Sequence, residues 1–223
     1  MSIESGYPLM EIPFAHRYQC WFCGEPKDRE ISFPKEKSSN TLLTHPPLSI
    51  PCCNECATLI KRCAFESIFV YRYAVKKELA KKHQKTLSIG SRWTEVELQE
   101  SQLEGSAFEG FKRSAWFMFK LQQARINFMG WPIYIDGKSL EVEDTQYGFA
   151  FDGTIYADLD GAINHVIDAF YLDELLFTRV LALLGKDKFA YAIRLCRLYP
   201  KLSTTTRESV FLEIVESLAI EET

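Results

Sequence analysis

The residues most able to do chemistry in this 223-residue chain are cysteines that come in two closely spaced pairs. Two residues separate the members of each pair, which are Cys20 with Cys23 and Cys53 with Cys56. Two thiolates at this spacing can hold one tetrahedral metal ion, and two such pairs complete a four-sulfur site. The sequence therefore predicts that these four residues bind a structural Zn2+ ion, with no coordination position left open for a substrate.

The remaining cysteines leave part of this assignment open. Cys52 could replace Cys53 as a ligand, but it would then be separated from Cys56 by three residues, and a separation of two is commoner. Four buried, reduced cysteines without a metal are the alternative to a zinc site. Cys63 and Cys196 lie in stretches of helical pattern and are expected to be small core residues.

The segments around the two pairs resemble the zinc-bearing half of treble-clef zinc-finger proteins, in particular HNH endonucleases. Residues 20–24 read Cys-Trp-Phe-Cys-Gly, the form of a zinc knuckle, and residues 50–56 read Ile-Pro-Cys-Cys-Asn-Glu-Cys before a helical pattern begins. The resemblance implies a knuckle, a short hairpin and a helix whose first turn carries the last zinc ligand. It covers these zinc-bearing segments and not the rest of the chain.

The catalytic Asp-His pattern of HNH enzymes is missing from this sequence. In those enzymes the pair lies between the cysteine pairs and supplies the general base. Here Asp28 is followed by Arg29, and the only histidine between the pairs, His45, precedes two prolines. The resemblance therefore implies a zinc-stabilised fold, and a divergent nuclease that uses Asp28 or His45 is kept as an alternative.

A strongly basic stretch follows the second cysteine pair. Residues 57–86 contain no Gly or Pro and have apolar residues at steps of three and four, which predicts one long helix. The stretch carries eight basic and two acidic residues, a net charge of +6. Like charges one turn apart repel one another, so we expect an anionic partner. The residues predicted to contact nucleic acid are Arg72, Lys76, Lys77, Lys81, Lys82, Lys85 and, through its aromatic ring, Trp21.

The rest of the chain predicts further helices and two hairpins. Residues 88–91 are expected to break the helix, and Thr94 with Glu97 forms a capping box for the next one. The aromatic-rich helix predicted over residues 108–128 is expected to be buried between two layers. Two Asp-Gly turns, at Asp136 and Asp152, predict an antiparallel meander of four short strands. Beyond residue 160 the pattern is helical, with a capping box over residues 205–208.

These elements predict an α+β fold in three regions. Residues 1–90 form a treble-clef-like zinc module leading into the basic helix, residues 91–130 form connecting helices, and residues 131–223 form antiparallel hairpins with C-terminal helices. No segment has the roughly 18 consecutive apolar residues of a membrane span. We therefore expect a cytoplasmic protein with no membrane association.

The charge distribution bears on the partner. The chain has 26 basic and 30 acidic residues, and this balance excludes a uniformly basic coat protein. Residues 1–135 carry 18 basic and 14 acidic residues, or +4, whereas residues 136–223 carry 8 and 16, or −8. The sequence thus predicts a non-catalytic, zinc-stabilised protein that binds DNA or RNA through its N-terminal half. The alternatives are a protein-interaction adapter, in which the acidic region recruits a protein partner, and the divergent HNH-type endonuclease.

Overall fold

The computed structural model describes residues 7–34, 42–60, 65–101, 105–140 and 148–221. These residues form helices and short antiparallel strand pairs, which makes the fold α+β. The strands are β1 (Arg29–Phe33), β2 (Leu48–Cys52), β3 (Ile133–Ile135), β4 (Lys138–Leu140), β5 (Phe149–Phe151) and β6 (Thr154–Tyr156). The α-helices are α1 (Asn54–Leu59), α2 (Ile68–Lys82), α3 (Gln84–Arg92), α4 (Glu95–Gln99), α5 (Ser106–Asn127), α6 (Leu159–Phe170), α7 (Glu174–Leu184), α8 (Phe189–Cys196) and α9 (Thr204–Glu221).

The N-terminal hairpin supports the cysteine-bearing segments. β1 and β2 are antiparallel, with Arg29 opposite Cys52 and Phe33 opposite Leu48. Every residue of β2 is buried, because the segment around Met10 also hydrogen-bonds to this strand through Ser49. β2 therefore lies in the middle of the local core and delivers the chain directly to α1.

The prediction of one long helix over residues 57–86 is wrong. α1 ends at Leu59, and a new helix, α2, begins after Ser67, whose hydroxyl accepts a hydrogen bond from the Phe69 amide. Residues 61–64 lie outside the described ranges. α2 ends near His83, and α3 then continues through residues 84–92. The sequence lacked Gly or Pro at these ends, so only capping and tertiary contacts mark them.

The predicted break at residues 88–91 is also wrong, because these residues lie inside α3. Gly90 is present for a packing reason. A Cβ placed on Gly90 would lie 2.0 Å from the Phe119 ring, so α3 and α5 cross closely at this point. The glycine permits a close helix contact and does not end the helix.

The aromatic helix is real but is not buried on all sides. α5 spans Ser106–Asn127 and buries Phe119 against α3. Phe108, Phe111 and Phe117 are exposed. The expectation that this helix lies between two layers is therefore corrected, since only part of its circumference packs against the protein.

Both Asp-Gly turns are confirmed. Asp136 and Asp152 have φ of 51° and 49°, and the glycines that follow them also have positive φ, as a type I′ turn requires. The four-strand meander is not formed within the described residues, because β3 pairs only with β4 and β5 only with β6. Residues 141–147, which connect the hairpins, lie outside the described ranges. The Asn127 side chain holds the second hairpin against α5 by bonding to backbone groups of Gly153 and Ile155.

The capping box at Thr94 and Glu97 is confirmed, whereas the one predicted over residues 205–208 is shifted. α9 begins at Thr204, and the Ser203 hydroxyl accepts from the Thr206 amide. Two clusters of buried apolar residues result, one around the cysteines and one joining β5 and β6 to the C-terminal helices. In the part of the chain that is described, no helix combines the length and the hydrophobicity needed to cross a bilayer.

Candidate metal centre and basic surface

The first cysteine pair lies in a tight turn. The Gly24 amide donates to the Cys20 carbonyl over 2.9 Å, and Gly24 has a φ of 75°, a conformation that favours glycine. A Cβ at this position would also meet the Phe128 ring at 3.0 Å. The turn is fixed to β2 because the Trp21 amide donates to the Pro51 carbonyl. The local chain thus presents Cys20 and Cys23 toward the end of the hairpin.

The second pair lies where β2 gives way to α1. Cys53 is the N-cap of α1, and its sulfur accepts a hydrogen bond from the Cys56 amide at 3.4 Å. Cys56 is buried within the helix. A cysteine at an N-cap and another three positions later place both sulfurs at the same helix end. These two sulfurs therefore face the knuckle.

The four sulfur atoms form a compact buried group. All the Sγ atoms of Cys20, Cys23, Cys53 and Cys56 lie within 4.8 Å of one another, and those of Cys23 and Cys53 are 3.7 Å apart. A tetrahedral zinc ion with Zn–S bonds of about 2.3 Å separates its sulfurs by about 3.8 Å. The group therefore fits a metal ion. Cys52 is outside it, and its thiol donates to the Cys53 carbonyl.

The thiols change one another's ionisation. Hydrogen bonds from the Cys20 and Cys23 thiols lower the pKa of Cys53 far below that of a free thiol. The pKa of Cys56 is raised, first by its contacts with Cys20 and Cys23 and further by burial. The pKa of Cys23 is raised for similar reasons. A divalent cation held by the four sulfurs would favour ionisation of all four thiols, because the thiolate is the form that binds a metal.

A charged network lies beside the cysteines. Glu55, between Cys53 and Cys56 in sequence, forms salt bridges with Lys82, at 2.6 Å, and with Arg125. Arg125 is almost fully buried and its Nη2 lies 3.9 Å from the Cys23 sulfur. Burial raises the pKa of Glu55, but hydrogen bonds from Lys82 and Arg125 outweigh it and bring the pKa to about 2.

Sequence reasoning did not identify Glu55 and Arg125 as part of the site. Glu55 has a signal in hindsight, because it is the only charged residue between the ligands of the second pair. Arg125 lies seventy positions from Glu55, near the end of an aromatic helix, and no local pattern distinguishes it. A contact of this kind depends on the fold.

Two of the predicted nucleic-acid contacts pack against each other, Trp21 fully buried and Arg72 partly buried. Trp21 has no exposed surface, and its indole donates to the Trp131 carbonyl at 2.9 Å. The Arg72 guanidinium lies over the Trp21 ring, 4.6 Å from its centroid, and donates to the Phe128 carbonyl. The expectation that Trp21 stacks on bases and that Arg72 contacts phosphate is corrected, because both side chains are committed to packing.

The expectation that Lys76 contacts nucleic acid is also corrected. Its side chain is buried, and its ammonium donates to the carbonyls of Arg125, Ile126 and Phe128 at 2.7–2.8 Å. These carbonyls lie at the C-terminal end of α5, which leaves them without partners inside the helix. Burial and the neighbouring Arg72 charge lower the pKa of Lys76 to about 7. Lys76 thus caps α5 and does not face solvent.

The other four predicted contacts are at least partly exposed, and they differ in whether the lysine is paired with an acidic side chain. Lys77 pairs with Asp158 at 2.7 Å, and Lys82 pairs with Glu55. Lys81 and Lys85 are exposed, and within the described ranges neither forms an ion pair. The structure therefore does not bring the predicted set together as one basic face, and Lys81 with Lys85 is the part left open to an anionic partner.

Asp28 and His45, the residues considered for an HNH-type reaction, both have structural partners. The Asp28 carboxylate accepts from the Asn54 amide at 2.7 Å, at the start of α1. His45 Nε2 accepts from the Ile68 amide, and Nδ1 donates to the Pro46 carbonyl. Both ring nitrogens of His45 are therefore engaged, and Nε2 fixes the start of α2.

Comparison of the chain with protein-family models, with curated proteins and with solved structures finds no match.

Proposed function

We propose that this chain is a non-catalytic, zinc-stabilised protein that binds nucleic acid. The observation that carries the proposal is the group of four buried cysteine sulfurs within 4.8 Å of one another. Zinc is the usual metal of four-thiolate sites in proteins, and a site closed by four protein ligands stabilises a fold without catalysing a reaction. The order of knuckle, β1–β2 hairpin and α1 agrees with the treble clef that the sequence resembles.

The zinc ion would have a specific structural task. Its ligands come from the knuckle and from the junction of β2 with α1, which are also joined by backbone hydrogen bonds and by packing in the apolar cluster around the cysteines. Binding of a metal to ligands that are far apart in the unfolded chain adds directly to the free energy of folding. The ion would thus hold together the part of the core that supports α2 and, through Lys76, the end of α5.

The nucleic-acid part of the proposal is supported by Lys81 and Lys85. They lie four positions apart across the junction of α2 and α3, are exposed, and form no ion pair among the described residues. Lys82 adds charge beside them, because its side chain is half exposed although it pairs with Glu55. Such cations bind phosphates and release condensed counterions, so the resulting affinity falls as salt rises.

A salt-titrated binding assay with DNA and RNA oligonucleotides tests this proposal. We expect binding at low salt that weakens when Lys81 and Lys85 are both changed to Ala, with a salt slope reduced by about two. The matched control changes Lys186 and Lys188 to Ala, since both are exposed lysines in the acidic C-terminal half. Absence of binding at low salt, or equal weakening by the control, would contradict the proposal.

One observation favours the adapter as a second candidate. Phe117 is 64% exposed in the middle of α5, and its neighbour Met118 is also exposed. Large apolar side chains on a helix surface are typical of protein contacts when they cluster. Capture of one protein from nuclease-treated lysate, lost in Phe117→Ala, would support the adapter, whereas equal capture by both chains would count against it.

A further inference from the structure

α3 is flanked by two concave surfaces that meet. One, of about 680 Å3, lies between α3 and α6 and extends to Tyr171 and Lys201. The other, of about 170 Å3, lies between α3 and α5 and extends to Trp93 and Phe111. Lys85, Ser88 and Arg92 line both, so the two adjoin along α3, and together they are called the α3 groove. Its floor from Lys85 to Trp93 is about 12 Å long at the helical rise per residue.

Aromatic rings lie open on both sides of the α3 groove. Trp93 is 41% exposed, Phe111 59% and Tyr171 60%. The Tyr171 ring is held in place, because the Arg92 guanidinium lies 5.0 Å from its centroid while Arg92 Nε donates to the Ala169 carbonyl at 2.7 Å. A ring fixed in this way loses little freedom when a planar group stacks on it.

The charged side chains of the α3 groove favour an anionic occupant. Lys85, Arg92 and Lys201 supply three cations, and Lys81 lies four positions before Lys85, across the junction of α2 and α3. The carboxylates that line the same surface are Asp168 and Glu174, and Asp168 is already bonded to the Gln84 amide group. Cations interleaved with exposed rings are the recognition pattern of single-stranded nucleic acid, in which phosphates pair with the cations and bases stack on the rings.

We infer that the α3 groove binds single-stranded nucleic acid, with bases against Phe111, Trp93 and Tyr171. This inference rests on the proposed nucleic-acid function and deepens it, since Lys81 and Lys85 alone would serve a duplex equally well. A duplex keeps its bases inside the double helix and cannot offer their faces to these rings. The inference therefore predicts a preference for single strands that depends on the aromatic side chains.

The test compares single-stranded and duplex oligonucleotides of about 12 nucleotides at one low salt concentration. We expect tighter binding of the single strand, and a loss of about fivefold or more in each of Phe111→Ala and Tyr171→Asn. Asn tolerates the left-handed backbone of Tyr171, whose φ is 56°. The matched control is Phe117→Ala, on the same helix but outside the α3 groove, which should bind as the unchanged chain does.

The outcomes separate the inference from the proposed function. Equal or tighter binding of the duplex, or unchanged single-strand binding in the Phe111 and Tyr171 variants, overturns the inference and leaves nucleic-acid binding through the lysines intact. No binding of either oligonucleotide overturns both. Binding of an acidic peptide at the same groove, with no oligonucleotide binding, would assign the surface to a protein partner instead.

Discussion

Glu55 and Arg125, seventy residues apart in the chain, form a salt bridge directly beside the cysteine cluster. Glu55 lies on α1 between the last two candidate ligands, and Arg125 lies near the end of α5. The pair therefore connects the helix that would hold the metal to the helix that Lys76 caps. It would extend the stabilising effect of an ion at the cysteine cluster beyond the residues that contact that ion.

Removal of Arg125 should destabilise the fold. Arg125→Met leaves Glu55 in a partly buried position with only Lys82 and His83, and we expect the free energy of unfolding to fall by about 3 kcal/mol. Urea denaturation measures the change. The matched control is Arg179→Met, which breaks an exposed pair with Glu208 and should cost less than about 1 kcal/mol. Equal costs for both variants would show that burial of the pair contributes nothing.

Gly90→Ala should destabilise the contact between α3 and α5. The new Cβ would lie 2.0 Å from the Phe119 ring, so the ring or the helix must move, at a cost of about 1–3 kcal/mol. Gly110→Ala is the control, because nothing lies within 4 Å of its Cβ position inside α5, and it should stabilise by about 0.5–1 kcal/mol. Thermal unfolding should show a lower melting temperature for Gly90→Ala and a higher one for Gly110→Ala. Stabilisation by Gly90→Ala would refute the close contact.

His165 should make the fold less stable in acid. Burial lowers its pKa to about 4, while Asp168 raises the pKa slightly and Arg92 lowers it slightly. The other contacts of His165 are the Ser91 hydroxyl and the Tyr156 ring. The folded-state pKa lies below the unfolded value of 6.5. The contribution of neutral His165 to stability is therefore fully present above pH 6.5 and is lost as the pH falls toward 4. We expect a loss of about 2 kcal/mol between pH 7.5 and 5.

Urea denaturation at the two pH values, with His165→Gln as the comparison, isolates this effect from the acid sensitivity of the cysteines. The variant should lose about 2 kcal/mol less than the unchanged chain over that interval. The same pH dependence in both proteins would mean that protonation of His165 does not oppose folding.

Lys76 and Lys85 both belong to the basic stretch of the sequence, but substitutions at the two positions should have different effects. Loss of Lys76 should lower the stability of the fold, and loss of Lys85 should weaken nucleic-acid binding. Lys76→Met leaves three carbonyls of α5 without their donor, and we expect a loss of about 2–4 kcal/mol in stability. Because Lys85 is exposed, Lys85→Ala should change stability by less than about 0.5 kcal/mol while weakening nucleic-acid binding. Denaturation and binding measurements on both variants test this division, and a stable Lys76→Met chain that binds weakly would reverse it.

Local patterns in the sequence predicted the features that local chemistry determines. The two cysteine pairs meet, the Asp136 and Asp152 turns have the required positive φ, and Thr94 caps α4. The turns and the cap depend on residues within a few positions of one another, and so does the spacing inside each cysteine pair, although the two pairs meet across thirty positions. Their physical constraints can therefore be read without knowledge of the fold.

Features that depend on distant contacts could not be predicted in this way. Lys77 finds Asp158 eighty-one positions later, and Lys76 finds the end of α5, so a helix with a high net charge is partly neutralised inside the molecule. In the sequence, Gly90 resembles a glycine that ends a helix. Only the position of Phe119 shows that it permits a helix crossing. The exposure of Phe111 and Phe117 likewise follows from which side of α5 has a neighbour.

The most direct test of the central claim is X-ray absorption at the zinc edge of the purified protein, combined with its metal content. We predict one zinc ion per chain, coordinated by four sulfurs at about 2.3 Å. Cys53→Ser should lose the metal and destabilise the cysteine-bearing core, whereas Cys52→Ser, whose sulfur lies outside the group, should retain it. A folded protein without zinc, a zinc ion with an oxygen ligand, or metal retained in Cys53→Ser and lost in Cys52→Ser would contradict this account.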